Sequence, residues 1–239
     1  MIELEQVSKN FGSVHAVADL SLSIKQGELF CFLGPNGAGK TTTIKMLCGL
    51  LRPTRGRIRV AGFDLATDPV PARQVTGYIP DFPFLYDRLT AAEFFEFAGD
   101  LYGVDRKKVA QEMDASFERF GLEEYRHTLI KDFSHGLRQR LIYAVQLLHE
   151  PQVLFVDEPF IGLDPFSIRL IKDLLRAKAR QGMTIFLTTH ILALIEDMAD
   201  RIGIIVEGRL VALGTKNELA ARTANKDGTL EEVFFSLTT

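Results

Sequence analysis

The sequence predicts an α/β fold with a mostly parallel core sheet, and three features carry that reading. Apolar runs of strand length, ELFCFL at 28–33 and VLFVD at 153–157, are patterned for burial on both faces. Such runs alternate along the chain with segments of helical spacing, as in β-α units. Over residues 90–125 helical spacing dominates, with Gly103 and Gly121 as breaks, so a small helical insertion interrupts the sheet. The composition agrees: 46% hydrophobic and 25% charged residues over 239 positions describe a globular chain, one domain or one domain with a subdomain.

In order, residues 20–24 (LSLSI) alternate as a half-buried strand should, and the strand 28–33 follows. Residues 42–51 (TTIKMLCGLL) read as a helix stopped by Pro53, and RIRV at 57–60 as a short strand. VTGYIP at 75–80 is a further strand, followed by the helical insertion. After the strand at 153–157 a helix follows Pro165, and MTIFLTT at 183–189 is again a buried strand. Residues 202–213 read as a hairpin turning at Glu207-Gly208. TANKDG at 223–228 reads as a loose connector before a last short helix. There is no internal repeat and no low-complexity tract.

Several function classes are disfavoured at once. A formal net charge of −3 lacks the basic excess of a typical nucleic-acid binder. The one dense basic run, RPTRGRIR at 52–59, reads as a solvated strand edge. Cys31 and Cys48 form no CxxC pair and suit a reducing compartment. The N-terminus, with Glu3 and Glu5 and no long apolar core, does not read as a secretory signal. No stretch approaches the roughly 18 apolar residues of a membrane span.

Between the first buried strand and its helix stands Gly34-Pro35-Asn36-Gly37-Ala38-Gly39-Lys40-Thr41, with Thr42 next, a match to G-x-x-x-x-G-K-[ST] in strand–loop–helix context. Glycines turn backbone N–H groups toward one point, a helix N-terminus adds partial positive charge, and Lys40 adds a full charge for β- and γ-phosphates. The Thr41 hydroxyl suits Mg²⁺. Asp157 ends a buried strand, where a metal would satisfy its carboxylate. Glu158 beside it reads as the general base, or the group that polarises an attacking water; an N-terminal cap before Pro159 is the alternative for the pair. Ser134 and Gly136 open a helix with apolar spacing at Leu137, Leu141, Val145 and Leu148. The residues alone favour an ordinary Ser cap there over a second anion site.

Taken together, GPNGAGKTT, GYIPD, FSHGLRQRL, VLFVDEPFIGLDP and TIFLTTH, in that order, with LEEVF near the C-terminus, resemble the nucleotide-binding subunit of an ABC (ATP-binding cassette) transporter. The resemblance implies one cassette over 1–239 with a P-loop NTPase fold: an N-terminal antiparallel β subdomain, a nucleotide-binding core from 1–80 and 151–222, a helical subdomain over 81–150 carrying the signature motif, and a tail helix over 223–239. It implies ATP and Mg²⁺ as ligands, and Ser134 and Gly136 as γ-phosphate ligands across a dimer with a second cassette, the same chain or a related one. By the same resemblance Phe11 stacks on adenine, with core packing as its alternative; His190 is the switch histidine contacting the γ-phosphate; and Asp164 communicates between the two sites. Asp81 stands where the family usually has glutamine, which suggests a catalytic-site contact to the metal through water. FSHGL stands where the family often has LSGGQ, and is similar to the YSKGM of exporter-associated subunits.

A separate integral-membrane permease subunit is implied as partner, with this chain on the cytoplasmic face of the membrane and no nucleic acid bound. ABC proteins acting on DNA or ribosomes usually carry tandem cassettes, coiled-coil arms or zinc inserts, none of which is present. A phosphate-loop kinase is disfavoured by the adjacent Asp157-Glu158 and by His190. Seven aromatics lie between Asp81 and Gly103. Of these, Phe82, Phe84 or Tyr86 is expected to line a groove for a short helix of the permease, a local mini-core being the alternative.

Overall fold

The computed structural model describes residues 1–221 and 230–238. It begins with β1 (Ile2–Phe11) and β2 (Val14–Ile24), an antiparallel hairpin in which Phe11 faces Val14 across the turn. Then come β3 (Leu29–Leu33), α1 (Lys40–Leu47), β4 (Arg55–Val60), β5 (Phe63–Asp64), α2 (Pro69–Gln74) and β6 (Thr76–Ile79). Three helices follow: α3 (Ala91–Tyr102), α4 (Arg106–Phe120) and α5 (His135–Leu147). The chain continues through β7 (Val153–Asp157), α6 (Pro165–Arg180), β8 (Thr184–Thr189), β9 (Arg201–Val206), β10 (Arg209–Gly214), α7 (Lys216–Ala220) and α8 (Leu230–Thr238).

These strands form two sheets. One is antiparallel, ordered β2-β1-β4-β5; the other is ordered β10-β9-β3-β8-β7-β6 and is parallel except for its β9–β10 hairpin. The continuous apolarity of β3, β7 and β8 follows from cover on both faces. Phe30 and Phe32 of β3 join Phe155, Phe186 and Ile205 in a layer with Ile44 and Met46 of α1 and the inner residues of the antiparallel sheet. Their neighbours Leu29, Cys31 and Leu33 point the other way, toward Tyr143 of α5 and Ile171 and Leu175 of α6. A period of two splits each strand between two cores.

The helical insertion is bounded by its own local chemistry. Thr90 and Glu93 form a capping box that starts α3, and Gly103 ends it in the left-handed conformation. Asp105 caps α4, which ends at Gly121 with φ 60°. Phe95 meets Phe117 edge-on at 5.7 Å and holds α3 to α4. Of the i, i+3 pair Phe94 and Phe97, the first is buried and the second exposed.

Two expectations shift and one strand goes unforeseen. β1 was not legible: register shifts between Leu4 and Asn10 interrupt its alternation. β2 starts at Val14, well before the alternating stretch. α1 ends at Leu47 rather than 51, because Gly49 (φ 68°) ends the helix before Pro53 can. The connector expected at 223–228 lies outside the described residues. Among the described residues no helix is long and apolar enough to cross a membrane.

What matters for function is where the parallel strands end. β7, β8 and β3 are adjacent, so their carboxyl ends deliver Asp157, Thr189 and the turn after Leu33 to one edge of the sheet. In open α/β sheets that edge is where ligands bind.

Candidate nucleotide-binding site

The turn after Leu33 is held tightly from behind. A Cβ on Gly34 would lie 2.4 Å from the Ile205 carbonyl oxygen, and one on Gly39 2.4 Å from that of Ala16; Gly39 also has φ 105°. Only glycine fits either position. The Gly208 N–H donates to the Ala38 carbonyl (3.0 Å), and the Ala18 N–H to the Gly208 carbonyl (2.9 Å), so the β9–β10 turn braces the loop against β2. Asn36 and Gly37 form the exposed tip, and Pro35 and Thr42 are half-buried. Gly39 offers no side chain to cap α1, whose first-turn N–H groups face the loop.

Lys40 is 6% exposed. Its Nζ donates to the carbonyls of Gly34 (2.8 Å) and Pro35 (3.1 Å) and lies 3.3 Å from Oε1 of Glu158. The other Glu158 oxygen accepts from the His190 N–H (3.3 Å) and lies 3.0 Å from His190 Nδ1. Lys40, Glu158 and His190 therefore form one continuous polar chain across the ends of three segments. Glu158 has φ 47°, rare for a residue with a side chain, and its N–H is held by the carbonyl and hydroxyl of Thr188 at 3.0 and 3.3 Å.

Asp157 is fully buried. Its Oδ1 accepts from the Thr188 hydroxyl and, at 3.5 Å, from the Thr41 hydroxyl, while Oδ2 is buried with no hydrogen-bond partner among the described residues. Burial pushes the carboxyl above its ordinary value, the two hydroxyls oppose that, and the charges of Asp81 and Glu158 add to it. An orphaned buried carboxylate oxygen is costly, and with the Thr41 hydroxyl it makes the hard oxygen set that suits Mg²⁺. Among the described residues no group of three or more His, Cys, Asp or Glu could hold a metal. Asp81 does not touch Asp157 directly; its Oδ1 accepts from the N–H of Phe82 at 2.8 Å.

The remaining sequence-derived residues have partners elsewhere. Phe11, at the β1–β2 turn, is 48% exposed with Lys9 Nζ 5.0 Å over its ring, which excludes core packing. Ser134 caps α5, accepting from the Leu137 N–H at 3.3 Å, and Gly136 lies in the first turn. Asp164 caps α6, accepting from the N–H (3.0 Å) and hydroxyl (2.5 Å) of Ser167, bonds that hold it below its ordinary value. Thr188 and Gly208 carry contacts the sequence did not assign; the threonines before His190 were the available signal for the first.

Residues 17–161 match the ABC transporter family. The chain is 38% identical over 99% of its length to the probable multidrug ABC transporter ATP-binding protein YbhF of Escherichia coli, and spans 41% of that protein. It is 37% identical over 93% of its length to the linearmycin resistance ATP-binding protein LnrL of Bacillus subtilis, covering 71% of it. A solved structure of an ATP-binding subunit of an ABC transporter superposes over the whole of both chains with a TM-score of 0.94 at 32% identity. The match covers more than half of the chain and includes the loop at 34–42 and the Asp157-Glu158 pair. The chain therefore belongs to the ABC transporter family.

Proposed function

We propose that this chain is the motor of an exporter: it binds Mg-ATP between two cassettes, and closing and opening of that pair drives a separate membrane subunit. The observation that carries the reading is the Lys40–Glu158–His190 chain beside the orphaned Asp157 oxygen. Residues 34–42 cradle the phosphates, and Lys40 trades Glu158 for the β- and γ-phosphate oxygens. Thr41 and Asp157 hold the metal, with Asp81 reaching it through water. When bound, Mg²⁺ neutralises charge on the phosphate oxygens. Glu158, freed from Lys40, accepts a proton from the attacking water or polarises it, and His190 holds its carboxylate in line. Phe11 stacks on adenine. Ser134 and Gly136 close over the nucleotide held by a second copy or a related chain, and Asp164 lies between the two sites. The family's cytoplasmic-face location and a permease partner follow from the same reading. Export is supported by the FSHGL sequence and by the multidrug and antibiotic-resistance names of the relatives.

The test is steady-state ATP hydrolysis. Glu158→Gln should bind nucleotide with little change and turn over about 10²–10⁴ times more slowly, accumulating as an ATP-bound dimer on a sizing column. Near-normal turnover would remove Glu158 from the role.

A further inference from the structure

His135 occupies a position where the family often has glycine, and its ring touches two separate segments. Nε2 lies 3.2 Å from the Ile161 carbonyl oxygen. A carbonyl only accepts, so Nε2 carries the proton. The same edge lies against Gly162, where a Cβ would be 3.3 Å from His135 Cδ2. The ring stacks on Phe82 with centroids 6.4 Å apart at 29°, and Phe82 in turn meets Phe84 edge-on at 6.0 Å. Arg138, one turn along α5, donates to Asp87 at 2.7 Å, which ties this helix to the far end of the same aromatic loop. The loop with Ile161 and Gly162 joins Glu158 to Asp164, and its own backbone bonds, Ile161 to Glu158 and Leu163 to Phe160, are long at 3.5 Å.

We propose that His135 is a positioning residue for ATP hydrolysis. It couples the aromatic loop, residues 82–87, to the loop that carries Glu158, so the state of the loop at Phe84 sets how well Glu158 is aligned. The inference rests on the hydrolysis reading above. Its physics is that the His135 ring bridges Phe82 and the Ile161–Gly162 turn, so a displacement of one is felt at the other, and its N–H holds a loop whose own backbone bonds are long. A glycine here would supply neither contact. Coupling through packed groups has to be measured rather than read from adjacency.

The experiment measures kcat and KM for ATP on the full chain, for His135→Gly, His135→Gln, Phe82→Leu and the double variant His135→Gly with Phe82→Leu, with melting temperatures alongside. His135→Gly should lower kcat about fivefold or more while KM for ATP stays within about twofold, and His135→Gln, which keeps an N–H at that reach, should recover part of the loss. The double variant should be no slower than the slower single one, because both remove the same linkage. The proposal is overturned if kcat is unchanged in His135→Gly, if KM rises instead (the mark of a residue that only orders the neighbouring Ser134), or if the two substitutions simply add. A His135→Gly chain that melts much lower leaves the decision to Phe82→Leu and His135→Gln: equal kcat in both and in the parent overturns it. Glu158→Gln in the same assay separates the two failures, since normal turnover there sinks the hydrolysis reading and lost turnover there with a normal His135→Gly sinks only this one.

Discussion

Lys40 in this structure is satisfied by two loop carbonyls and one carboxylate, all of them oxygen acceptors standing where phosphate oxygens are expected. That arrangement gives a buried amine three oxygen partners, so on the proposed reading nucleotide arrival exchanges one acceptor for another rather than assembling the site anew. Phe11 is the opposite kind of residue, 48% exposed with the Lys9 amine over its ring. If it stacks on the base, Phe11→Ala should weaken ATP and GTP alike by about 1–3 kcal/mol, roughly 5- to 150-fold in Kd. Melting without nucleotide should barely move, since surface changes stay within about 0.5 kcal/mol. Unchanged titrations with both nucleotides would remove the stacking role.

At the scale of elements, the legible parts were those whose cause is local. β3, β7 and β8 announce burial on both faces, and α3 and α4 carry their caps and stops in sequence. The loop at 34–42 needed no tertiary knowledge either. What stayed hidden depends on distant segments: the brace of Gly208 on Ala38, the hydroxyl of Thr188 under Asp157, the register shifts of β1, and the stack of His135 on Phe82. His149 belongs with these. It follows α5, donates through Nε2 to the Thr76 carbonyl in β6 (3.1 Å), and stacks flat on Tyr102 of α3 at 3.8 Å, strapping the insertion to the parallel sheet. Its Nδ1 is buried without a partner, and burial lowers its proton affinity below the ordinary histidine value. As pH falls through about 6.5 the unfolded chain therefore gains a proton that the folded chain resists, so this residue's contribution to stability is full above that pH and declines below it. Thermal melts of the parent and His149→Gln between pH 8 and pH 5 should show the parent's advantage shrinking as acid is added. A constant or growing advantage would contradict the assignment.

At the scale of the whole molecule, one surface is hard to explain for a chain acting alone. A groove of about 390 Å³ opens between the aromatic loop and α3, lined by Phe84, Tyr86, Phe94, Phe97 and Leu101. Phe84 is 87% exposed and Leu101 70%. The two readings of the aromatic loop separate here. Tyr86 is 59% exposed but makes edge contacts with Phe94 and Phe97 at 6.0 and 5.5 Å, so it packs on α3 as part of the groove wall. Phe82 turns away to His135. Phe84, the most exposed of the three, stands over the groove, and among the described residues its one ring neighbour is Phe82. An exposed apolar groove of this kind fits the apolar face of a short helix, which the family reading supplies from the permease. The two residues should then respond differently to the same charge. Phe84→Asp should leave melting and ATP binding of the isolated chain unchanged and abolish co-purification with a co-expressed permease from detergent-solubilised membranes. Tyr86→Asp should lower the melting temperature on its own, because it removes the edge contacts with Phe94 and Phe97. Retained co-purification of Phe84→Asp would mean that the permease docks elsewhere, and a Phe84→Asp chain that unfolds would mean that its ring is structural despite its exposure.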